Sequence, residues 1–164
     1  MRNKKTLIFG TISLVAIFTI IIFFIAPNFI LSVVTPDINL KDENFDGIHL
    51  NQDINELNVG EISEDILNPN FYQLSNGVRV ITDENRFIKK IAITHDTDTT
   101  VKTSRGISVG DSLDNVKRYY GEDYYNRREQ GVGIIVYVDK NKFIEFWHWN
   151  NKVEEIRFGY NEVN

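Results

Sequence analysis

From Thr6 to Pro36 the chain carries no Asp, Glu, Lys or Arg, and most of that stretch is Ile, Leu, Val, Phe or Ala. No other feature restricts the fold so strongly. A helix rises about 1.5 Å per residue, so crossing a hydrocarbon core of about 30 Å takes about 20 apolar residues. Leu7 to Val34 exceeds that length, and tilt or a bend at Pro27 would absorb the surplus. A secretory signal peptide has an apolar region of about 7–15 residues that ends in small side chains. Here the run is longer. Ala26 is followed by Pro27, which obstructs cleavage, and Ser32-Val33-Val34 puts a branched residue where a small one is wanted. The expectation is an uncleaved N-terminal transmembrane helix acting as a signal-anchor.

Charge sets the orientation. Arg2, Lys4 and Lys5 precede the run, while Asp37, Asp42, Glu43 and Asp46 follow it. The positive-inside rule then predicts a single-pass protein of the cell membrane, with a cytoplasmic N-terminus and an extracytoplasmic remainder. Beyond Pro36 there remain 18 − 3 = 15 basic against 23 acidic residues, a net of −8. A domain so acidic, with no basic run, is not expected to bind nucleic acid. The absence of cysteine excludes disulfides, a cysteine zinc site and lipid attachment through a thiol. The abundance of Ile and Asn is that of an AT-rich bacterial genome. The organisation read from these shifts is a cytoplasmic tip and anchor over 1–36, a tether over 37–45, and an extracytoplasmic domain over 46–164.

Within that domain the sequence repeats itself. Gly47-Ile48-His49-Leu50-Asn51-Gln52-Asp53-Ile54-Asn55-Glu56-Leu57 aligns with Gly106-Ile107-Ser108-Val109-Gly110-Asp111-Ser112-Leu113-Asp114-Asn115-Val116, glycine on glycine and apolar on apolar. Ile88, Ile91 and Ile93 align in the same order with Val153, Ile156 and Phe158. The spacing predicts two copies, about 46–100 and 101–160. Each opens with a helix-start signal, Asp53-Ile-Asn-Glu56 or Asp111-Ser-Leu-Asp114, placing acids where helix N–H groups are unpaired. Leu113, Val116 and Tyr120 form one apolar stripe, and Gly121 follows as a stop. Strands are read at Phe71–Leu74, Val78–Thr82, Phe87–Thr94, Val132–Val138, Phe143–Trp149 and Val153–Phe158. The turns between them are Ser75-Asn76-Gly77, Asp83-Glu84-Asn85, Asp139-Lys140-Asn141 and Asn150-Asn151. Turns this short force antiparallel pairing. The predicted fold class is α+β: a transmembrane helix, then a tandem repeat of helix plus antiparallel β-meander.

A helix opened by Gly-Ile-Ser-Val-Gly-Asp-Ser-Leu-Asp-Asn-Val, closed by Tyr-Tyr-Gly and followed by a meander, all in tandem, resembles the β-lactamase-inhibitory-protein-like architecture. The SmpA/OmlA outer-membrane lipoproteins have a similar helix-opening phrase. The resemblance covers about residues 46–160 and implies a non-catalytic domain that binds other proteins. It departs from the lipoproteins in having no lipobox cysteine, and no inhibitor contact residue carries over.

Motifs for chemistry are sparse. His49, His95 and His148 are the three histidines, and none has a second at chelating spacing. His95-Asp96-Thr97-Asp98-Thr99-Thr100 is rich in oxygen but lacks the glycine and glutamate of a calcium loop, with Val101 and Ile107 at those positions. Ser63, Ser75, Ser104, Ser108 and Ser112 lie outside any nucleophile-elbow pattern, and no phosphate loop occurs. No catalytic, cofactor-binding or metal-binding residue is expected. The informative cluster is aromatic. Phe143-Ile-Glu-Phe146-Trp147-His-Trp149 carries large apolar residues on both faces of one strand. Either both faces are buried between the repeats, or one is an open partner surface. In the second case Tyr137, Trp147 and Trp149 would form the site, with His148 pointing the other way. The expected function is a membrane-anchored, extracytoplasmic, non-catalytic module that binds another envelope or extracellular protein through its sheet face. An envelope hydrolase with a spatially assembled site and an immunity- or inhibitor-type protein are the alternatives.

Overall fold

The structure is a computed structural model that describes residues 27–58, 60 and 62–161. The chain divides into two compact units, Met1–Val34 and Thr35–Asn164. In the first, α1 (Pro27–Val34) begins at a proline, whose missing N–H is no loss in a first helical turn. Its 8 residues span about 12 Å, well short of a bilayer core. The expected transmembrane helix and signal-anchor are therefore corrected: among the described residues no helix is long and apolar enough to cross a membrane. The remainder of the apolar run, residues 7–26, lies outside the described residues.

The second unit is built on eight antiparallel strands: β1 (Ile62–Glu64), β2 (Phe71–Leu74), β3 (Arg79–Thr82), β4 (Ile88–Ile93), β5 (Tyr125–Glu129), β6 (Val132–Asp139), β7 (Lys142–Trp149) and β8 (Lys152–Tyr160). They form a single sheet in the order β1-β2-β3-β4-β8-β7-β6-β5. Short turns impose this local order. Asn150 and Asn151 both take positive φ, 48° and 63°, the left-handed pair that matches the twist of a tight hairpin. The long-range join is β4 on β8, with Ile91 opposite Phe158.

The predicted fold class is corrected here. Among the described residues the chain is mostly sheet, with two short α-helices and no helix-plus-meander repeat. Asp53 does cap, accepting from the Asn55 N–H, but the segment it opens is a three-residue 3₁₀ turn, Ile54–Glu56, with one buried residue. A cap without a second turn of apolar side chains has no stripe to bury, so no helix propagates. In the second half α2 (Leu113–Tyr120) forms because Leu113, Val116 and Tyr120 give it that stripe. Its cap is Ser112, which accepts from the Asn115 N–H; Asp111 instead accepts from the Ser108 N–H at 2.8 Å.

The main core lies on the face under α2. Tyr137, Ile144, Phe146, Ile156, Phe158, Ile91 and Val80 point into it from the sheet, and Ile54, Val101 and Ile107 close it from the loops. Residues 37–45, expected as a tether, are part of this packed unit. Leu40 and Phe45 are fully buried. The Ile38 N–H donates to Val138 O at 2.8 Å, the Leu40 N–H to Asp139 Oδ2 at 2.9 Å, and Asp37 accepts from the Lys140 N–H. The buried Glu43 carboxylate accepts from the N–H and hydroxyl of Ser104, with Arg105 Nε at 3.6 Å.

Candidate functional site

Strand alternation sends every second side chain to the opposite face, which α2 does not cover. Register aligns these residues in rows. One row runs Phe71, Ile81, Lys90, Gly159, Phe143, Val138, and the next runs Gln73, Arg79, Ala92, Arg157, Glu145, Val136. A depression of about 470 Å³ sits over them, lined by Phe71 at one end and Arg127 at the other. Phe71 is on β2 and Arg127 on β5, six strand positions apart. Long side chains such as those of Arg79, Lys90, Arg127 and Arg157 bring groups from distant strands to this one hollow.

Two glycines shape the two faces. A Cβ on Gly159 would stand 2.7 Å from Lys90 Cγ, so only hydrogen there lets the lysine stem lie across β8 into the hollow. A Cβ on Gly133 would stand 2.5 Å from the His148 ring, which lies over it on the opposite face.

Charge is organised around Trp147. The Arg157 guanidinium lies 4.0 Å and that of Arg127 5.3 Å from its ring centroid, two cation–π contacts on one indole. The indole N–H donates to Glu145 Oε2 at 2.9 Å, and Arg127 donates to Glu145 Oε1 at 2.7 Å. Arg127 also reaches Glu129 at 2.6 Å, and Arg157 holds Glu155 through two bonds of 2.7 and 3.0 Å. Burial pulls the Arg127 pKa down, but the hydrogen bonds it donates to Glu145 and Glu129, with their charges, outweigh it and the net shift is upward. Burial, then the Glu145 charge, raises the Tyr125 phenol. Beneath this polar layer Ile134, Val136 and Val138 make a second apolar cluster, joined at its margin by Tyr125, Val132 and Phe143.

The four residues singled out from sequence are not brought together. Tyr137 belongs to the covered face, where it is fully buried against Tyr120, Tyr124 and Phe146 and donates to Gly121 O at 2.8 Å. Trp147 is on the open face, 9% exposed under its two arginines. Trp149, 55% exposed, stands at the end of the β7–β8 hairpin. His148 faces Gly133 on the covered side; burial and then the charges of Arg128 and Lys117 lower its pKa. The groups that sequence reasoning passed over are Arg79, Lys90, Arg127, Glu145, Glu155 and Arg157. Their signal was present as opposite charges two apart on one strand face, Arg127-x-Glu129 and Glu155-x-Arg157, beside Phe143-x-Glu145-x-Trp147.

The histidines lie apart. His49 is exposed in the loop before the 3₁₀ turn, and His95 pairs with its neighbour Asp96 at 3.1 Å on the surface. Among the described residues no cluster of three or more His, Asp or Glu side chains could hold a metal ion. No protein-family model, curated protein or solved structure matches this chain.

Proposed function

We propose that residues 35–164 form a non-catalytic protein-binding module whose contact surface is the hollow on the uncovered face of the sheet. The same proposal places the module at the cell membrane, on its extracytoplasmic side. One observation carries the reading. Phe71, Ile81 and Phe143 line a concave surface among arginines and carboxylates, and Ile81 alone is 39% exposed. Apolar side chains set in a polar rim are the composition of a protein contact patch. Arginine paired to carboxylate supplies the directional hydrogen bonds that fix register. Trp147 serves the site from beneath by holding two guanidiniums at fixed positions.

The test is capture of envelope proteins by the full chain, comparing the natural sequence with Ile81→Arg and Phe143→Arg. A partner retained by the natural chain and by a control at exposed Glu154→Arg, yet lost by both hollow variants, supports the reading. A partner captured equally by all four places the contact surface elsewhere.

A further inference from the structure

The face of the sheet under α2 carries a polar group of its own, at the β5 edge and on the opposite side from the hollow. Arg128, Gly133 and His148 stand in one row across β5, β6 and β7. Asn126 shares that face, in the row of Ile135 and Phe146. Here the cover thins: Asn126 and Arg128 are exposed and His148 is half-buried. Two strand spacings, about 10 Å, separate the backbones of Arg128 and His148. The imidazole lies over Gly133, which has no side chain, and so occupies the interval between them.

The group is rich in donors and holds no carboxylate. Among the described residues the side chains of Asn126, Arg128 and His148 make no hydrogen bond or ion pair with the rest of the chain. On the other face, by contrast, Arg127 and Arg157 are each bonded to glutamates. The charges that act on His148, those of Arg128 and Lys117, are both positive. Lys117 comes from the last turn of α2 and is bonded to the Tyr124 phenol, its ammonium 5.2 Å from that ring. Glu122 and Asp114 act on Lys117, but no carboxylate is among the groups acting on His148. Cations gathered without a counter-charge repel one another, and an anion placed among them turns that repulsion into attraction.

The donors also indicate which anion. A guanidinium offers two parallel N–H groups to the oxygens of a carboxylate or phosphate. The Asn126 amide and the His148 ring add donors from other directions. A carboxylate has two oxygens in one plane, whereas a terminal phosphate has three spread in space, up to two negative charges and a second pKa of about 6. We propose that Arg128, Asn126 and His148, with Lys117 at the margin, form a site for a phosphate group, either free or at the end of an ester. The guanidinium holds two oxygens and the imidazole meets the third. The dianion favours the imidazolium, so a proton enters with the phosphate and binding tightens as pH falls from about 8 towards 6.

The test is a pH titration of the three histidine rings of the full-length chain by proton NMR. Sodium phosphate and sodium glycerol 1-phosphate are each compared with sodium chloride at equal ionic strength. His49 and His95 lie elsewhere and serve as internal references. At about 10 mM, one or both phosphates should raise the pKa of His148 by at least about 0.5, an about threefold preference for the protonated ring, and leave the other two histidines in place. The phosphate that acts at the lower concentration tells whether the group is taken free or as an ester. Arg128→Ala and the stem-preserving Arg128→Gln, both at an exposed position and checked for native circular dichroism, should abolish the rise. A His148 curve identical in chloride and in both phosphates overturns the site, as does a rise that persists undiminished in either arginine variant. Capture through the hollow is unaffected by either result, because its variants lie on the other face.

Discussion

The two faces of the sheet bury apolar side chains by different means and to different extents, a large core under α2 and a small cluster on the other side. Under α2, Tyr137, Phe146, Ile156 and Phe158 interdigitate with side chains from a helix and loops, and the only polar group they carry, the Tyr137 hydroxyl, is bonded to Gly121 O. On the other side Ile134, Val136 and Val138 lie beneath Trp147, and two arginines on glutamate partners lie over Trp147. The difference teaches that a sheet need not recruit a second layer of secondary structure to shield its far face. Arginine stems, pinned by carboxylates and laid on an aromatic ring, form a thin roof that water can still touch. The first face closes the fold; the second stays available to a visitor.

The comparison yields a ranked series of measurements. Phe146→Ala removes a ring from the middle of the closed face and should cost about 3–5 kcal/mol in urea unfolding. Trp147→Ala, beneath the thin roof, should cost about 2–3 kcal/mol, because the stems of Arg127 and Arg157 can settle into part of the void. Equal losses would mean that both faces are core in the same sense. Glu145→Gln keeps the shape but weakens the charge-assisted bond to Arg127, and about 1–2 kcal/mol should go. Arg79→Ala, at the exposed rim, should change stability by less than about 1 kcal/mol. A larger loss there would show that the rim also supports the fold.

The smallest effect is a slope. His148 has its pKa lowered from 6.5 in the folded chain. As pH falls through about 6.5 the unfolded chain takes up that proton first, so stability declines below that point and is flat above it. Unfolding followed from pH 8 to 5 should show this slope, and His148→Gln should flatten it. A separate acid limb comes from Asp65, Asp83 and Asp98, held below 3.8 chiefly by backbone N–H groups of Leu67, Phe87 and Thr100 respectively. Their contribution is lost only as pH falls through those lowered values.

Alternation and turn residues made much of the second unit legible. Val132–Val138 and Phe143–Trp149 read as strands because large apolar residues sit between Asn- and Asp-rich turns, and strands occupy those stretches. The edge strands were not legible. Ile-Ser-Glu of β1 and Tyr-Asn-Arg-Arg-Glu of β5 lie at the two edges and have no fully buried residue, so neither shows an apolar alternation. The helix expected at Asp53 failed because a cap signal is local, whereas helix length is decided by what can be buried. The tether misled for the converse reason. Its acids looked solvated, yet Glu43 is buried on Ser104, sixty-one residues away in sequence. The site shared that difficulty. Aromatic residues announced themselves in the sequence, but whether a ring faces a core or a hollow depends on strand register, and the charged pairs that frame the hollow read in isolation as ordinary surface.

The pinning of Asp37, Ile38 and Leu40 to the tip of the β6–β7 hairpin has a mechanical consequence. Tension arriving along the chain at Thr35 enters the domain at that hairpin tip. It must peel a short run of hydrogen bonds and then extract Leu40 and Phe45 before any strand is strained. Phe143, which lines the hollow, stands opposite Val138 on that same hairpin, so a pull on the amino end reaches one wall of the hollow as soon as it reaches the sheet.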